Sequence, residues 1–246
     1  MTSPKHTPLG KHPILGSHYG FSATHLDDLG AAEYTLVAIA ADASGSVGAF
    51  KADIERAIAE VAKACRASPR ADNLMLRLTT FDHQVREVHG FMPLPACDPN
   101  RYADCVKLGG TTALFDAAYN AVGSVVSYGE SLTDNDFEVN GIVFVITDGG
   151  DNASSTTADA LRKSVLASVK KEALESLLTI LVGVDVDPST GKVLGQVKKD
   201  AGFDRYIELS RADAKSLAKL ADFVSRSIGA QSKALGTGRK SASLSF

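Results

Sequence analysis

Apolar residues recur along the chain with two different periods. Residues 34–42 and 141–148 form apolar runs with almost no polar interruption, which is typical of strands buried on both faces of a parallel sheet. Between these runs, residues 47–67 carry an apolar side chain at every third or fourth position, which predicts an amphipathic helix. The pattern therefore begins as strand followed by helix.

The same alternation continues to the end of the chain. Residues 73–82 and 85–91 predict two strands that form a hairpin across the turn Asp82-His83-Gln84. The remaining pattern predicts helices over residues 113–126, 157–176, 193–201 and 212–231, and strands over residues 177–185 and 205–209. Strands separated by helices indicate an α/β fold, with a doubly wound, mostly parallel sheet flanked by helices.

A single domain is expected over residues 31–233, between two segments of different composition. Residues 1–30 are rich in Gly, Pro, Ser and His without a clear period, which predicts an irregular N-terminal arm. Its histidines lack the paired spacing of a metal site. Residues 234–246 are rich in Ser and Gly and basic, which predicts a flexible C-terminal tail.

Composition narrows the choice of partners and compartment. A net charge of -3, 7% aromatic residues and no tryptophan give no reason to expect nucleic acid as a partner. Three cysteines without paired spacing (Cys65, Cys97 and Cys105) fit reduced thiols better than a disulfide framework or a zinc site. No segment resembles a signal peptide or a membrane span, so we expect a soluble, cytoplasmic protein without a membrane partner.

Oxygen-bearing side chains follow the predicted strands. The first strand ends in Asp42, and Ser44 and Ser46 follow at intervals of two residues. This spacing places a carboxylate and two hydroxyls on one side of a tight loop, where Gly45 and Gly48 are expected to let the backbone bend. Taken alone, the loop is better explained by a serine that caps the next helix.

Two further loops place oxygen atoms at the same edge of the sheet. Thr111 and Thr112 lie just before a predicted helix, and Asp148 ends the most apolar strand. Ligands bind at the carboxyl ends of strands in open α/β sheets. Hard oxygen donors without sulfur or imidazole suit Mg²⁺ or Mn²⁺. Asp116, Asp151 and Asn152 are interpreted as ordinary helix and turn residues, and His83 as a solvated turn residue.

Together the three loops resemble those of von Willebrand factor A (vWA) domains with a metal-ion-dependent adhesion site. Asp42, Ser44 and Ser46 match the family's DxSxS motif, GGTTALFDA resembles its threonine loop, and ITDG resembles its aspartate loop. The likeness covers residues 33–232. It implies the strand order 3-2-1-4-5-6, with strand 3 antiparallel.

The resemblance also implies a role for each site residue. Ser44 and Ser46 would bind the metal directly, whereas Asp42 and Asp148 would act mainly through bound water, although either could coordinate directly. Thr112 is favoured over Thr111 as the metal threonine, because the family's threonine precedes Ala-Leu-x-Asp-Ala. A single ion is expected, namely Mg²⁺ with Mn²⁺ or Ca²⁺ as alternatives.

The implied function is that of a binding module rather than an enzyme. In the family, an Asp or Glu side chain of a partner protein completes the metal shell, so we expect an adaptor or assembly factor. The partner could be an AAA+ ATPase, as for some stand-alone family members, or a second copy of this chain. Two other functions stay open: a metal-dependent phosphatase or other hydrolase, and a self-assembling structural protein.

Overall fold

A computed structural model of the protein describes residues 9–14, 17–170, 174–209 and 213–234, with side chains omitted at 168–170 and 232–234. Beyond residue 234, the C-terminal tail expected at 234–246 lies outside the described residues. The strands are β1 (Gly10–Pro13), β2 (Gly20–Ala23), β3 (Glu33–Asp42), β4 (Leu74–Phe81), β5 (Val85–Pro93), β6 (Glu138–Thr147), β7 (Ser176–Val184) and β8 (Arg205–Leu209). The helices are α1 (Lys51–Arg66), α2 (Leu114–Thr133), α3 (Ala158–Lys170), α4 (Pro188–Ala201) and α5 (Ala214–Ala234).

All these strands lie in one sheet, in the order β1-β2-β5-β4-β3-β6-β7-β8. The five strands β4, β3, β6, β7 and β8 are parallel, and β5 runs antiparallel to β4. Without β1 and β2 the order is the 3-2-1-4-5-6 expected of a vWA domain. The predicted hairpin and the doubly wound α/β fold are therefore confirmed.

Register places the ends of the central strands side by side. Asp42 at the end of β3 pairs with Phe81 of β4, and Ala41 pairs with Ile146 of β6. The loops that follow β3, β4 and β6 thus leave the sheet at the same level. This alignment brings the predicted site residues to one edge.

Helices cover both faces of the sheet, and each face has its own apolar core. On one face, α1 and α5 pack against the side chains of β3, β4 and β6 that point toward them, including Ile39, Leu76 and Phe144. On the other face, α2 packs against the alternate side chains of the same strands, and α3 and α4 pack against β7. Two-sided burial explains why these strands appear in the sequence as continuous apolar runs.

The irregular N-terminal arm predicted for residues 1–30 instead contains β1 and β2, which form an antiparallel pair beside β5. Phe21 anchors this pair, with its ring centroid 6.0 Å from that of Phe91 and 6.3 Å from that of Tyr128. A Cβ at Gly90 would lie 2.1 Å from the Ser22 carbonyl oxygen, so only glycine permits this close approach. Contacts with distant residues therefore order a segment that has no clear local pattern.

Several helix boundaries also differ from the predicted ones. α4 begins at Pro188 rather than near residue 193, because Asp187 caps it by accepting hydrogen bonds from the Ser189 and Thr190 amides (2.7 and 3.1 Å). α2 continues to Thr133, seven residues beyond the predicted end at 126. α3 is described as far as Lys170, and Ser176, the residue at which the helix was predicted to end, is the first residue of β7.

Candidate metal centre at the carboxyl edge of the sheet

The first loop of the site begins where β3 ends. Asp42 has no exposed surface, and its Oδ1 accepts a 2.8 Å hydrogen bond from the Ser44 amide. The chain then forms a 3-10 helix over Gly45–Ala49, which leaves the Ser46 side chain exposed. Gly45 and Gly48 do not have positive φ angles, so the turn arises from this short helix and not from the glycine-specific bend that the sequence suggested.

The loop after β6 joins this first loop through side chains. Thr147 Oγ1 donates a 2.6 Å hydrogen bond to Asp42 Oδ2. Ser46 Oγ donates to Asp148 Oδ1 at 3.1 Å, and the hydroxyl oxygens of Ser44 and Ser46 also lie 3.1 Å apart. Four of the five predicted site residues therefore belong to one connected group, although 102 positions separate Ser46 from Asp148.

The threonine loop reaches the same group through its backbone. The Gly45 amide donates to the Gly110 carbonyl (3.0 Å), and the Gly109 amide donates to the Ala43 carbonyl (2.8 Å). Thr112 is buried, whereas Thr111 is exposed. No hydrogen bond within the described part of the chain joins the Thr112 hydroxyl to the other four site residues. The assignment of Thr112 as a ligand stays a prediction.

The two carboxylates of this group lie in an unfavourable environment for negative charge. Burial is the main cause that raises the pKa of Asp42, and the nearby charge of Asp148 raises it further. Hydrogen bonds from Thr147 and Ser44 lower this pKa but do not offset the increase. Burial likewise raises the pKa of Asp148 despite the hydrogen bond from Ser46. Among the described residues, no lysine or arginine pairs with either carboxylate, so the site carries negative charge without a basic partner.

Asp82 is a fixed part of this edge that sequence reasoning treated only as a turn residue. It is buried at the end of β4, and its carbonyl accepts a 2.7 Å hydrogen bond from the Ala113 amide at the start of α2. A Cβ at Gly109 would lie 1.8 Å from Asp82 Oδ2, so the threonine loop passes directly over this carboxylate. Its position directly after a buried strand was the feature of the sequence that could have identified Asp82 as a residue of this edge.

Hydrogen bonds hold Asp82 in its ionised form. Burial by itself would raise its pKa, but the Gln84 amide (2.8 Å) and Arg86 (2.9 Å) donate to Oδ1 and lower the pKa overall. His83 Nδ1 lies 3.3 Å from the same oxygen, and the His83 side chain is about half exposed. Asp82 thus differs from Asp42 and Asp148 because it has its own basic partner.

Residues interpreted as ordinary helix or turn positions join the threonine and aspartate loops. Asn152 Oδ1 accepts a 2.8 Å hydrogen bond from the Thr112 amide, and Asp151 Oδ1 accepts a 3.3 Å hydrogen bond from the Phe115 amide. Asp116 accepts hydrogen bonds from the amides of Ser155 and Thr156 at 3.0 and 2.8 Å. Asp116 does lie in the first turn of α2, as expected. These contacts fix the shape of the loops around the site.

No other arrangement of side chains in the described ranges offers an obvious metal centre. Within them, no group of three or more His, Cys, Asp or Glu side chains is placed to hold a metal ion. The group around Asp42 differs in kind, because it combines two carboxylates with serine hydroxyls instead of three or more His, Cys, Asp or Glu side chains.

The helices of the described residues are too short or too polar to cross a membrane.

Comparisons with known proteins give the fold but no family. No family model matches the sequence, and no curated protein matches it significantly. Among solved structures, a mutant PilB minor pilin from Streptococcus sanguinis aligns with a TM-score of 0.55 at 12% identity, over 79% of this chain and 61% of that one. The pilus adhesin SpaC from Lactobacillus rhamnosus GG aligns with a TM-score of 0.55 at 10% identity, over 79% and 30%.

A third similar structure is proximal thread matrix protein 1 from the mussel byssus. It has a TM-score of 0.50 at 17% identity, over 80% of this chain and 46% of that protein. The chain thus spans less than two thirds of each of these three proteins. At such identities the likeness concerns the fold alone.

Proposed function

We propose that this protein binds partner proteins through a Mg²⁺ ion held at the carboxyl edge of the sheet, where an Asp or Glu side chain of the partner completes the metal shell. Ser44 and Ser46 would bind the ion directly, with Thr112, Asp42 and Asp148 coordinating it directly or through water. Mn²⁺ or Ca²⁺ could replace Mg²⁺. The role would be that of an adaptor or assembly factor, whose partner is another protein, an AAA+ ATPase or a second copy of this chain.

The spacing of the oxygen atoms is the observation that carries this proposal. Ser44 Oγ and Asp148 Oδ1 each lie 3.1 Å from Ser46 Oγ. Neighbouring oxygens around an octahedral Mg²⁺ are about 3.0 Å apart, because each lies about 2.1 Å from the ion at right angles to the next. These two separations are compatible with ligands of one shared Mg²⁺, which supports the proposal.

Charge supports a cation at the same place. Asp42 and Asp148 lie close together without a basic partner among the described residues. A divalent ion would supply the missing positive charge. Because hydroxyls donate without neutralising it, the ion would keep enough charge to attract a further carboxylate.

The surroundings of the site favour a protein as the visiting ligand. Leu108 is 49% exposed and lies next to the first loop, since a Cβ at Gly48 would be 3.6 Å from its Cδ1. Val193 is 52% exposed and lies next to the loop that follows β6, since a Cβ at Gly150 would be 3.1 Å from its Cγ1. Apolar side chains beside an open metal position suit an acidic residue flanked by apolar neighbours.

We expect no hydrolase activity from this site. Metal-dependent hydrolases hold their ions with more carboxylates or imidazoles and add a base or nucleophile. The described residues near Asp42 supply mainly hydroxyls. Hydrolysis of p-nitrophenyl phosphate in Mn²⁺ should therefore stay at background for the wild type and for Asp42→Ala alike. Turnover that disappears in Asp42→Ala would favour a phosphatase instead.

Metal binding is tested by isothermal titration calorimetry with MgCl₂ and MnCl₂. The wild type should bind one equivalent, and Ser44→Ala and Asp148→Asn should weaken binding by at least about tenfold, as expected for loss of a direct ligand or its charge. Ser225→Ala, which removes an exposed hydroxyl on α5, is the matched control and should bind normally. Equal binding by wild type and Ser44→Ala would refute the proposed centre.

Partner recognition is tested with a displayed peptide library. Peptides are selected on the wild type in Mg²⁺, after depletion on Ser44→Ala, and released with EDTA. The selected peptides should share an Asp or Glu, and its replacement by Asn or Gln should abolish binding. Selected peptides without an acidic residue, or binding that survives EDTA, would contradict the proposed mode of recognition even if the metal binds.

A further inference from the structure

A cavity of about 360 Å³ lies between the β1–β2 hairpin and the edge of the core sheet, and none of the candidate metal-site residues lines it. The hairpin supplies one wall, and β4, β5 and α2 supply the others. Its volume falls in the range of pockets that hold small metabolites, which is about 300 to 1,000 Å³. Its polar lining includes Lys11, His12, Ser22, Arg77, Glu87 and Asn120.

A buried arginine forms the floor of this cavity. Arg77 is only 1% exposed, and its Nε donates a 2.8 Å hydrogen bond to Glu87 Oε2. Its Nη1 donates to Asn120 Oδ1 at 2.9 Å and to Ser124 Oγ at 3.1 Å. In the described part of the chain no acceptor binds Nη2. The guanidinium group is therefore held firmly and keeps one end for a ligand.

The acceptors near this arginine are already occupied. Glu87 accepts hydrogen bonds from the Ser22 amide (3.2 Å to each carboxylate oxygen), the Ser22 hydroxyl and Arg77. Asn120 uses its Oδ1 for Arg77, while no hydrogen bond of its Nδ2 occurs among the described residues. Lys11 adds an exposed ammonium group at the rim. The cavity thus offers donors and positive charge but no spare carboxylate oxygen.

One further buried atom in the cavity wall lacks a partner. The His12 ring stacks on Phe21 with centroids 5.1 Å apart, and its Nε2 is buried without a hydrogen bond in the described residues. A buried nitrogen of this kind costs free energy until a ligand or water binds it. Phe21 and Val85 add apolar surface beside these polar groups.

We propose that this cavity binds a small molecule through an oxyanion, either a carboxylate or a phosphate. The oxyanion accepts hydrogen bonds from Arg77 Nη2 and Asn120 Nδ2 and attracts Lys11, while the remainder of the ligand packs beside Phe21 and Val85. Arginine suits this role because its planar group presents fixed donors to carboxylate and phosphate oxygens. This site is independent of the proposed metal centre.

The test measures binding of succinate, acetate and inorganic phosphate to the full chain by isothermal titration calorimetry. The protein is first treated with EDTA and then dialysed into EDTA-free buffer, so that anions cannot bind through a metal ion, and NaCl at equal ionic strength is the blank. We expect saturable binding of succinate or phosphate with a dissociation constant of about 1 mM or lower. The stronger of the two then identifies the oxyanion class.

Two variants locate the binding, and neither removes the buried arginine. Asn120→Asp keeps the acceptor for Arg77 but replaces the free donor with a negative oxygen, so binding should fall by at least about tenfold. Lys11→Gln should weaken it about threefold, and Lys219→Gln, the same change on the exposed side of α5, should have no effect. Circular dichroism checks that each variant is folded.

Two results at the cavity would overturn the proposal, and a third, at the control position, would do so as well. One is the absence of saturable binding by every anion up to about 10 mM, since weaker association is no more than general charge attraction. The other is unchanged affinity in Asn120→Asp, because an oxyanion in this cavity must meet the new negative charge. Loss of binding in Lys219→Gln to the same extent as in Lys11→Gln would also count against it.

Discussion

Two groups of buried polar side chains in this protein differ in how their charge is compensated. Around Arg77, burial lowers the pKa of the guanidinium group, and Glu87 opposes this effect from a salt-bridge distance of 2.8 Å. Around Asp42 and Asp148, burial raises the pKa of both carboxylates and no basic side chain of the described residues opposes it. The charge of Arg77 is thus balanced by a carboxylate of the same chain, whereas the charges of Asp42 and Asp148 have no positive partner among the described residues.

This difference distinguishes charged side chains that stabilise the fold by themselves from those whose contribution to stability depends on a bound ligand. A charge with an internal partner stabilises the fold as soon as the chain folds, and removing that partner is costly. A charge without one becomes favourable only when an ion binds, so its contribution depends on ion concentration. The four predictions below test this contrast in order of decreasing effect.

The largest effect is expected from Arg77→Met. This change leaves Glu87 and Asn120 without their donor, so the free energy of unfolding should fall by about 3 to 5 kcal/mol. Adding Glu87→Gln should recover part of the loss, because the unpaired charge is then gone. Urea denaturation of the single and double variants measures both values. A loss below about 1 kcal/mol would mean that the pair is not a structural unit.

The second effect concerns the uncompensated group. Mg²⁺ at 100 times its dissociation constant should stabilise the wild type by about 2.7 kcal/mol, which raises Tm by roughly 5 to 11 °C for a chain of this size. Thermal denaturation with MgCl₂ or EDTA measures the difference. Asp148→Asn should lose the increase, yet unfold in EDTA at a temperature no lower than wild type, because it removes a buried charge without a basic partner. A Mg²⁺ effect that persists in this variant would break the contrast.

The third effect concerns the hairpin beside the Arg77 group. Gly90→Ala places a methyl group 2.1 Å from the Ser22 carbonyl oxygen, so β2 must move away from β5. We expect a loss of about 1 to 3 kcal/mol in the free energy of unfolding. Gly229→Ala, on α5 with open space around the new Cβ, is the control and should not destabilise. Equal stability of the two variants would show that the hairpin does not pack as described.

The smallest effect is a pH dependence of stability that arises from His89. Its side chain is largely buried and is neutral at pH 7. Burial lowers its pKa below the ordinary value of 6.5, and its ring nitrogens lie 3.0 Å from the Gly90 carbonyl oxygen and the Tyr102 hydroxyl. Because the unfolded chain binds a proton more readily, stability should fall as the pH drops below 6.5 and level off below the folded pKa. Tm measured from pH 7.5 downward should show a shallower fall in His89→Gln.

Much of the core sheet and its helices could be predicted from the sequence because their signals are local. β3 and β6 are buried on both faces, and their sequences are continuous apolar runs. α1 is buried on one face, and its apolar residues recur every three or four positions. The start of α4 was also available locally, since Asp187 followed by Pro188 is a common helix beginning. The strand order, however, came only from the family resemblance.

What the sequence could not provide depends on contacts between distant residues. β1 and β2 form because Phe21 packs against Phe91 and Tyr128. The sequence of this segment has no periodic pattern that would predict the two strands. Asp82 and Asn152 hold the threonine loop in place through partners more than 25 residues away. The grouping of Asp42, Ser44, Ser46 and Asp148 was expected, and the structure does bring these four together.

The β1–β2 hairpin has a consequence for behaviour at high protein concentration. Without it, the nine residues of β5 would form one border of the sheet and present unpaired amide and carbonyl groups to other chains. With it, the outermost strand on that side is only four residues long and contains Lys11 and Pro13. Short strands with lysine and proline are poor templates for intermolecular strand addition. Because β2 pairs with β5 only where Ala23 lies opposite Phe91, the hairpin should hinder strand addition along that part of the border.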